Sequence, residues 1–144
     1  MSILESSGYN DTLASALNEL LEAERAGARV LLETSHQNLP QNFVQLINEI
    51  QRDEVRWCKM LVNVIQSLKL IPSQKTGSFY EKAISISDLN ERLHFINRGQ
   101  GWVVRRLQAL IPTIDDVNIR KQLEEMRDAH MDNIELVEKS IDLA

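Results

Sequence analysis

The sequence predicts an all-α fold, a four-helix bundle, and three observations carry the prediction. Four long segments repeat apolar residues at alternating three- and four-residue steps, the spacing that holds side chains on one face of a helix. Only five Gly and three Pro interrupt 144 residues. Aliphatic residues dominate an apolar fraction in which aromatics are sparse, a balance that favours long helices over sheets.

The first stripe follows the cap candidates Asn10, Asp11 and Thr12 and runs Leu13, Leu17, Leu20, position 24, Gly27, Leu31. It predicts a helix over about 11–36 that ends before Pro40. The second runs Phe43, Ile47, Ile50, position 54, Trp57, Leu61, Val64 and Leu68, a helix over about 41–69 closed by Pro72. A crossover over about 70–87 follows, with a short helix from Phe79 to Ile84.

Asp88 and Glu91, spaced as in a capping box, open the third stripe: Leu89, Leu93, Ile96, position 100, Val103, Leu107, Leu110, a helix over about 88–111. The fourth stripe follows Asp115 and Asp116, acidic residues suited to a helix N-terminus. It runs Leu123, positions 127 and 130, Ile134, Val137 and Ile141, a helix over about 115–142. The first two helices and the last two are joined by short connections and form antiparallel hairpins. The long middle connection can cross the bundle end to end and leaves the second and third helices parallel. All of 1–144 then forms one domain.

A formal charge of −5, with acids and bases interleaved, provides no basic stripe for phosphates, so nucleic acid is not an expected partner. The first residues lack the pattern of a secretory signal and no segment is apolar enough for a membrane span, which points to the cytoplasm. Cys58 is the only cysteine and sits in an apolar pattern, as a small core residue. Lys75-Thr76-Gly77-Ser78 lacks the glycine spacing of a P-loop.

Every stripe is interrupted near its middle by polar residues: Glu24, Glu54, Gln100, and on the last helix Arg127 and His130. Aligned helices bring these to one level of the interior, where an unpaired charge costs several kcal/mol. Two carboxylates about 5 Å apart repel by roughly 3 kcal/mol at an effective dielectric near 20, so a cation, a shared proton or an arginine must compensate. Two further Glu-x-x-His spacings, Glu33 to His36 and Glu91 to His94, lie off the stripes near helix ends and are coincidental.

Di-iron carboxylate bundles take one Glu from each of two helices and a Glu-x-x-His pair from each of the other two. The segment Leu20-Leu21-Glu22-Ala23-Glu24-Arg25-Ala26 resembles the first metal helix of rubrerythrins and ferritins, and Asp53-Glu54-Val55-Arg56-Trp57 resembles their Glu-x-x-His segment with Trp57 in place of His. On the third helix the carboxylate position holds Gln100, and the last pair reads Arg127-Asp128-Ala129-His130. Nearly the whole chain, particularly Asn97 to Arg105 and Lys75 to Tyr80, also resembles an uncharacterised bacterial ferritin-like family. The resemblance implies a ferritin-like bundle with a degenerate di-iron site, assembled as a homodimer.

Three functional readings follow. In the first, Arg127 neutralises Glu24 and Glu54 in a buried network with Gln100 and His130, with no catalytic residue and no resident cofactor. In the second, an oxidoreductase-like protein holds one iron or manganese ion through Glu24, Glu54 and His130. In the third, a small-molecule pocket lies near Trp57, Trp102 and Arg127. Gly99 and Gly101 each cost about 1 kcal/mol inside a helix, which indicates close packing, a local bulge or ligand approach.

Overall fold

A computed structural model describes residues 3–143. It contains α1 (Ile3–Ser35), α2 (Gln41–Ser67), the short α3 (Phe79–Ile84), α4 (Leu89–Leu110) and α5 (Val117–Leu143), with a 3-10 turn at Ile111–Thr113. Among the described residues there is no strand, and no helix is long and apolar enough to cross a membrane.

Helix boundaries follow local chemistry. Asp88 caps α4 by accepting a hydrogen bond from the Glu91 amide at 2.9 Å, and Asp116 does the same for the Ile119 amide at 3.0 Å ahead of α5. α2 stops before Pro72 is reached. Lys69 adopts a left-handed conformation, φ 61°, and the Leu70 amide donates back to the Ile65 carbonyl, a Schellman-type ending. α1 begins well before position 11. Thr12 does not cap it; its hydroxyl donates to the Gly8 carbonyl one turn earlier inside the helix. This first stretch is exposed at Gly8 to Thr12, so no apolar repeat marks it.

Pairwise contacts fix the directions. Along α1, Tyr9 donates to the Thr113 carbonyl, Glu19 pairs with Arg106, and Thr34 accepts from Arg92, so α1 and α4 run antiparallel. Asp53 with Asn133 and Arg56 with Glu125 make α2 and α5 antiparallel in turn. The short connection from Ser35 to Gln41 turns α2 back along α1, so α2 and α4 are parallel and the chain between them travels the length of the bundle.

That crossover is strapped along α1. Asn18 donates to the Ile71 carbonyl and accepts from the Ser73 amide, Arg25 donates to the Lys75 carbonyl, and the Gly77 amide donates to the Glu22 carbonyl. The Lys75 to Ser78 segment thus serves as backbone fastening. α3 is seated by Tyr80, which donates to Glu33 on α1, and by Phe79, which stacks on Phe95 of α4. Arg92 is buried and its guanidinium donates to the Ile84 and Ile86 carbonyls and to Thr34, which ties the end of α3 to the bundle.

The interior has two apolar parts. One gathers Leu17, Leu20, Leu61, Leu107, Leu123 and Met126; the other gathers Val30, Phe43, Ile47, Ile50, Leu93 and Val137. Each fully buried leucine among them contributes about 1.5–3 kcal/mol. Between the two lies a polar layer drawn from all four long helices.

Cys58 packs against the first cluster, and burial pushes its thiol up to about 12, with Glu24 adding to the rise and Arg25 opposing it. The native thiol is therefore expected to react with a disulfide reagent at pH 8 about three orders of magnitude more slowly than the unfolded chain, whose thiol titrates near 8.5. Comparable rates with and without urea would contradict this.

Candidate metal centre

The polar layer is built by register. α1 presents Glu24 in the stripe that holds Leu17, Leu20 and Leu31; α2 presents Glu54 between Ile50 and Trp57; α4 presents Gln100 between Ile96 and Val103. On α5 the buried positions are Ile119, Leu123, Met126, His130, Asn133 and Val137. The structure brings Glu24, Glu54, Gln100 and His130 together, and exposures of 1%, 5%, 4% and 1% place all four out of contact with bulk water.

Arg127 is not among them, which corrects the buried Glu/Arg network expected from the sequence. Its Nε donates to the adjacent Asp128 at 3.0 Å, and its side chain is 29% exposed. The reason is register. Successive helix residues turn by about 100°, and the core face of α5 takes Met126 and Asn133 where the sequence pattern places 127 and Ile134. An exposed ion pair of this kind is worth about 0–1 kcal/mol, so Arg127→Leu is expected to change the unfolding free energy by less than about 1 kcal/mol. A loss of several kcal/mol in urea denaturation would return Arg127 to the core.

The geometry centres on His130. Its Nδ1 donates to the Met126 carbonyl at 2.8 Å, which fixes the ring and turns Nε2 toward the carboxylates. Nε2 stands 2.5 Å from Glu24 Oε1 and 4.0 Å from Glu54 Oε2. Gln100 Nε2 donates to the other Glu54 oxygen at 2.9 Å. Burial pushes the imidazolium toward deprotonation, but Coulomb attraction and the close approach of Glu24 outweigh it, helped by the Met126 carbonyl and Asp53, and the pKa rises above 6.5.

Short distance does not make these contacts satisfied. Nε2 of His130 and Oε1 of Glu24 lack hydrogen-bond alignment, and Glu24 Oε2, Glu54 Oε2 and Gln100 Oε1 have no partner either. One donor atom from each of Glu24, Glu54 and His130 lies within 4.8 Å of the others, the arrangement of groups around a cation. Among the described residues no lysine or arginine pairs with these carboxylates.

Several supporting residues escaped the sequence reading. Asn97 donates to the Ile134 carbonyl, and Asn133 donates to Asp53 beside the His130 ring. Both sit three residues from a layer residue, Gln100 and His130, and that helical spacing was the available signal. Gly27, already in the first stripe, also supports the site: a Cβ there would lie 3.3 Å from the Glu54 carboxyl, so the missing side chain is what lets the carboxylate rest against α1. Of the readings open for the two glycines, close packing describes Gly99, with Phe79 as its neighbour, whereas a Cβ at Gly101 would meet only the Arg105 side chain.

A cavity of about 550 Å³ adjoins the layer between α1, α3 and α4 and is lined by Glu24, Glu54 and Gln100 at its buried end. Trp102 lines it. Trp57 and Arg127 do not, which corrects the pocket expected around all three. Trp57 belongs to the first apolar cluster, 3% exposed, filling space beside the layer.

A crystal structure described as ferritin like, diiron-carboxylate proteins from Bacillus anthracis str. Ames superposes with a TM-score of 0.78 at 16% identity, covering 92% of this chain and 96% of that one. The fold is thus a ferritin-like bundle. Among curated proteins no sequence matches. The family model described as Domain of unknown function (DUF6306) matches residues 11–139.

Proposed function

The chain belongs to the DUF6306 family, and from that premise we propose that this ferritin-like bundle is a binding protein for one divalent transition-metal ion, held by Glu24, Glu54 and His130. The observation that carries the reading is the set of buried, unpartnered acceptor atoms that face one another with only His130 to offset two carboxylates. A divalent ion with a neutral imidazole balances both carboxylates, whereas a protonated His130 offsets only one. Two oxygens and one nitrogen form a donor set suited to iron or manganese.

The hydrogen bonds behind these donors agree with it. A ligating histidine donates its other ring nitrogen to a carbonyl or carboxylate, as His130 does to Met126, and ligating carboxylates are themselves hydrogen-bonded, as Glu54 is by Gln100. The two-ion centre named in the description of the similar structure does not fit these residues. Trp57 offers a donor N–H and no lone pair, Gln100 carries no charge, and Arg127 points away. Three protein donors leave coordination positions for water or a small molecule, so a bound ion would supply a Lewis-acid or one-electron centre.

Equilibrium dialysis of chelator-stripped protein against Mn(II) or Fe(II) tests the reading. The expected result is one ion per chain, falling below a tenth of that in Glu54→Gln. Two ions per chain, or none, would sink it.

A further inference from the structure

We infer that the cavity beside the ion site is a binding pocket for a flat aromatic compound that carries a hydroxyl or amino hydrogen-bond donor. The size is the first argument. A cavity of about 550 Å³ far exceeds what an ion and its waters occupy and falls in the range of small-molecule pockets, about 300–1,000 Å³.

The walls are the second. The chain has only three Phe and two Trp, yet Phe79, Phe95 and Trp102 all line this cavity. Phe79 and Phe95 are stacked with centroids 4.9 Å apart and planes 8° from parallel, a flat surface against which a ring can lie. That surface depends on Gly99, because a Cβ there would come within 2.7 Å of the Phe79 ring. Of five glycines in the chain, Gly27, Gly77 and Gly99 line the cavity. Two of these lie inside helices, where each costs about 1 kcal/mol against alanine. Space is thus kept at the expense of helix stability.

The polar atoms are the third. The residues at the buried end carry acceptors without a partner just behind the cavity wall: Glu24 Oε2, Glu54 Oε2 and Gln100 Oε1. An acceptor left unpaired in the interior costs about 1–3 kcal/mol, which a ligand recovers by bringing an O–H or N–H. The inference rests on the ion reading in one respect. With the ion on Glu24, Glu54 and His130, Gln100 Oε1 is the one of these acceptors on a residue that does not hold the ion, and it is kept in orientation by its own amide donating to Glu54.

The test is calorimetric titration of the full chain, stripped and Mn(II)-loaded, with 2-naphthol and with 2-methoxynaphthalene, which has the same rings and no donor. The expected result is 2-naphthol binding at least tenfold more tightly than the methyl ether in both forms. Gln100→Leu is expected to erase that preference in the loaded protein. Ala23→Phe, which fills the cavity from α1 without replacing an ion donor, is expected to abolish naphthol binding and to leave Mn(II) binding intact. No naphthol binding, equal affinity for the two compounds, binding undisturbed by Ala23→Phe, or a preference that survives Gln100→Leu each overturns the inference while the ion reading stands on its dialysis result. Donor-selective naphthol binding to a protein that takes up no Mn(II) would remove the ion reading and keep the pocket.

Discussion

In the metal-free protein, His130→Leu is expected to lower the unfolding free energy by about 3–5 kcal/mol, the cost of stranding buried charge when one partner is removed. Glu24 and Glu54 are 1% and 5% exposed, and without the imidazolium's charge beside them the Gln100 amide is their remaining side-chain partner. The triple variant Glu24→Met, Glu54→Met, His130→Leu is expected to recover most of the loss, since no charge then remains in the layer and the replacements are close in volume. Urea denaturation at constant m-value measures both. A single-variant loss below about 1 kcal/mol would mean that the layer carries no stranded charge and needs no cation. The pH dependence gives a second readout. The folded pKa of His130 lies above 6.5, so its stabilising share is complete below about pH 6.5 and disappears as the pH rises through the folded value, with a slope of at most about 1.4 kcal/mol per pH unit. This loss on the alkaline side is expected in the parent and not in His130→Leu.

Particular residues show why the bundle was readable and the site only partly so. Leu13, Leu17 and Leu20, or Phe43, Ile47 and Ile50, repeat at helical spacing because burial selects them, and a Glu, Gln or His in such a stripe stands out against it. That contrast located Glu24, Glu54, Gln100 and His130. It failed at Arg127 because steps of three and four both satisfy the repeat: Met126 and Arg127 are adjacent, and only packing against α4 and α2 decides which of them faces inward. The start of α1 was invisible for the opposite reason, since Gly8 to Thr12 are exposed and periodicity records only buried faces. The cavity depends on where the crossover lies. Nothing local to Phe79 says that Asn18, Glu22 and Arg25 fasten the chain along α1 and bring that ring against Gly99. The pair of helix-interior glycines, Gly27 and Gly99, was the trace that side-chain-free space leaves in a sequence.

Adding Mn(II) or Fe(II) to stripped protein at a free concentration of 100 times the dissociation constant is expected to stabilise it by about 2.7 kcal/mol, because an ion that binds only the folded chain draws the equilibrium toward it. For a chain of this length each kcal/mol moves the melting temperature by roughly 2–4 °C, so calorimetry should register a rise of about 5–11 °C. The site variants separate specific binding from a general effect of salt. Glu54→Gln keeps the volume and the Gln100 neighbour but removes one donor charge, and the rise is expected to vanish at the same ion concentration. Arg127→Leu is expected to retain the full rise, since Arg127 pairs with Asp128 outside the layer. Lowering the pH below the folded pKa of His130 is expected to shrink the rise, because the ion needs the neutral imidazole and must displace the proton that Glu24 helps to hold there. If Glu54→Gln and the parent gain equally, the ion sits elsewhere on the acidic surface, and the convergence of Glu24, Glu54 and His130 is then a proton-sharing cluster in the core.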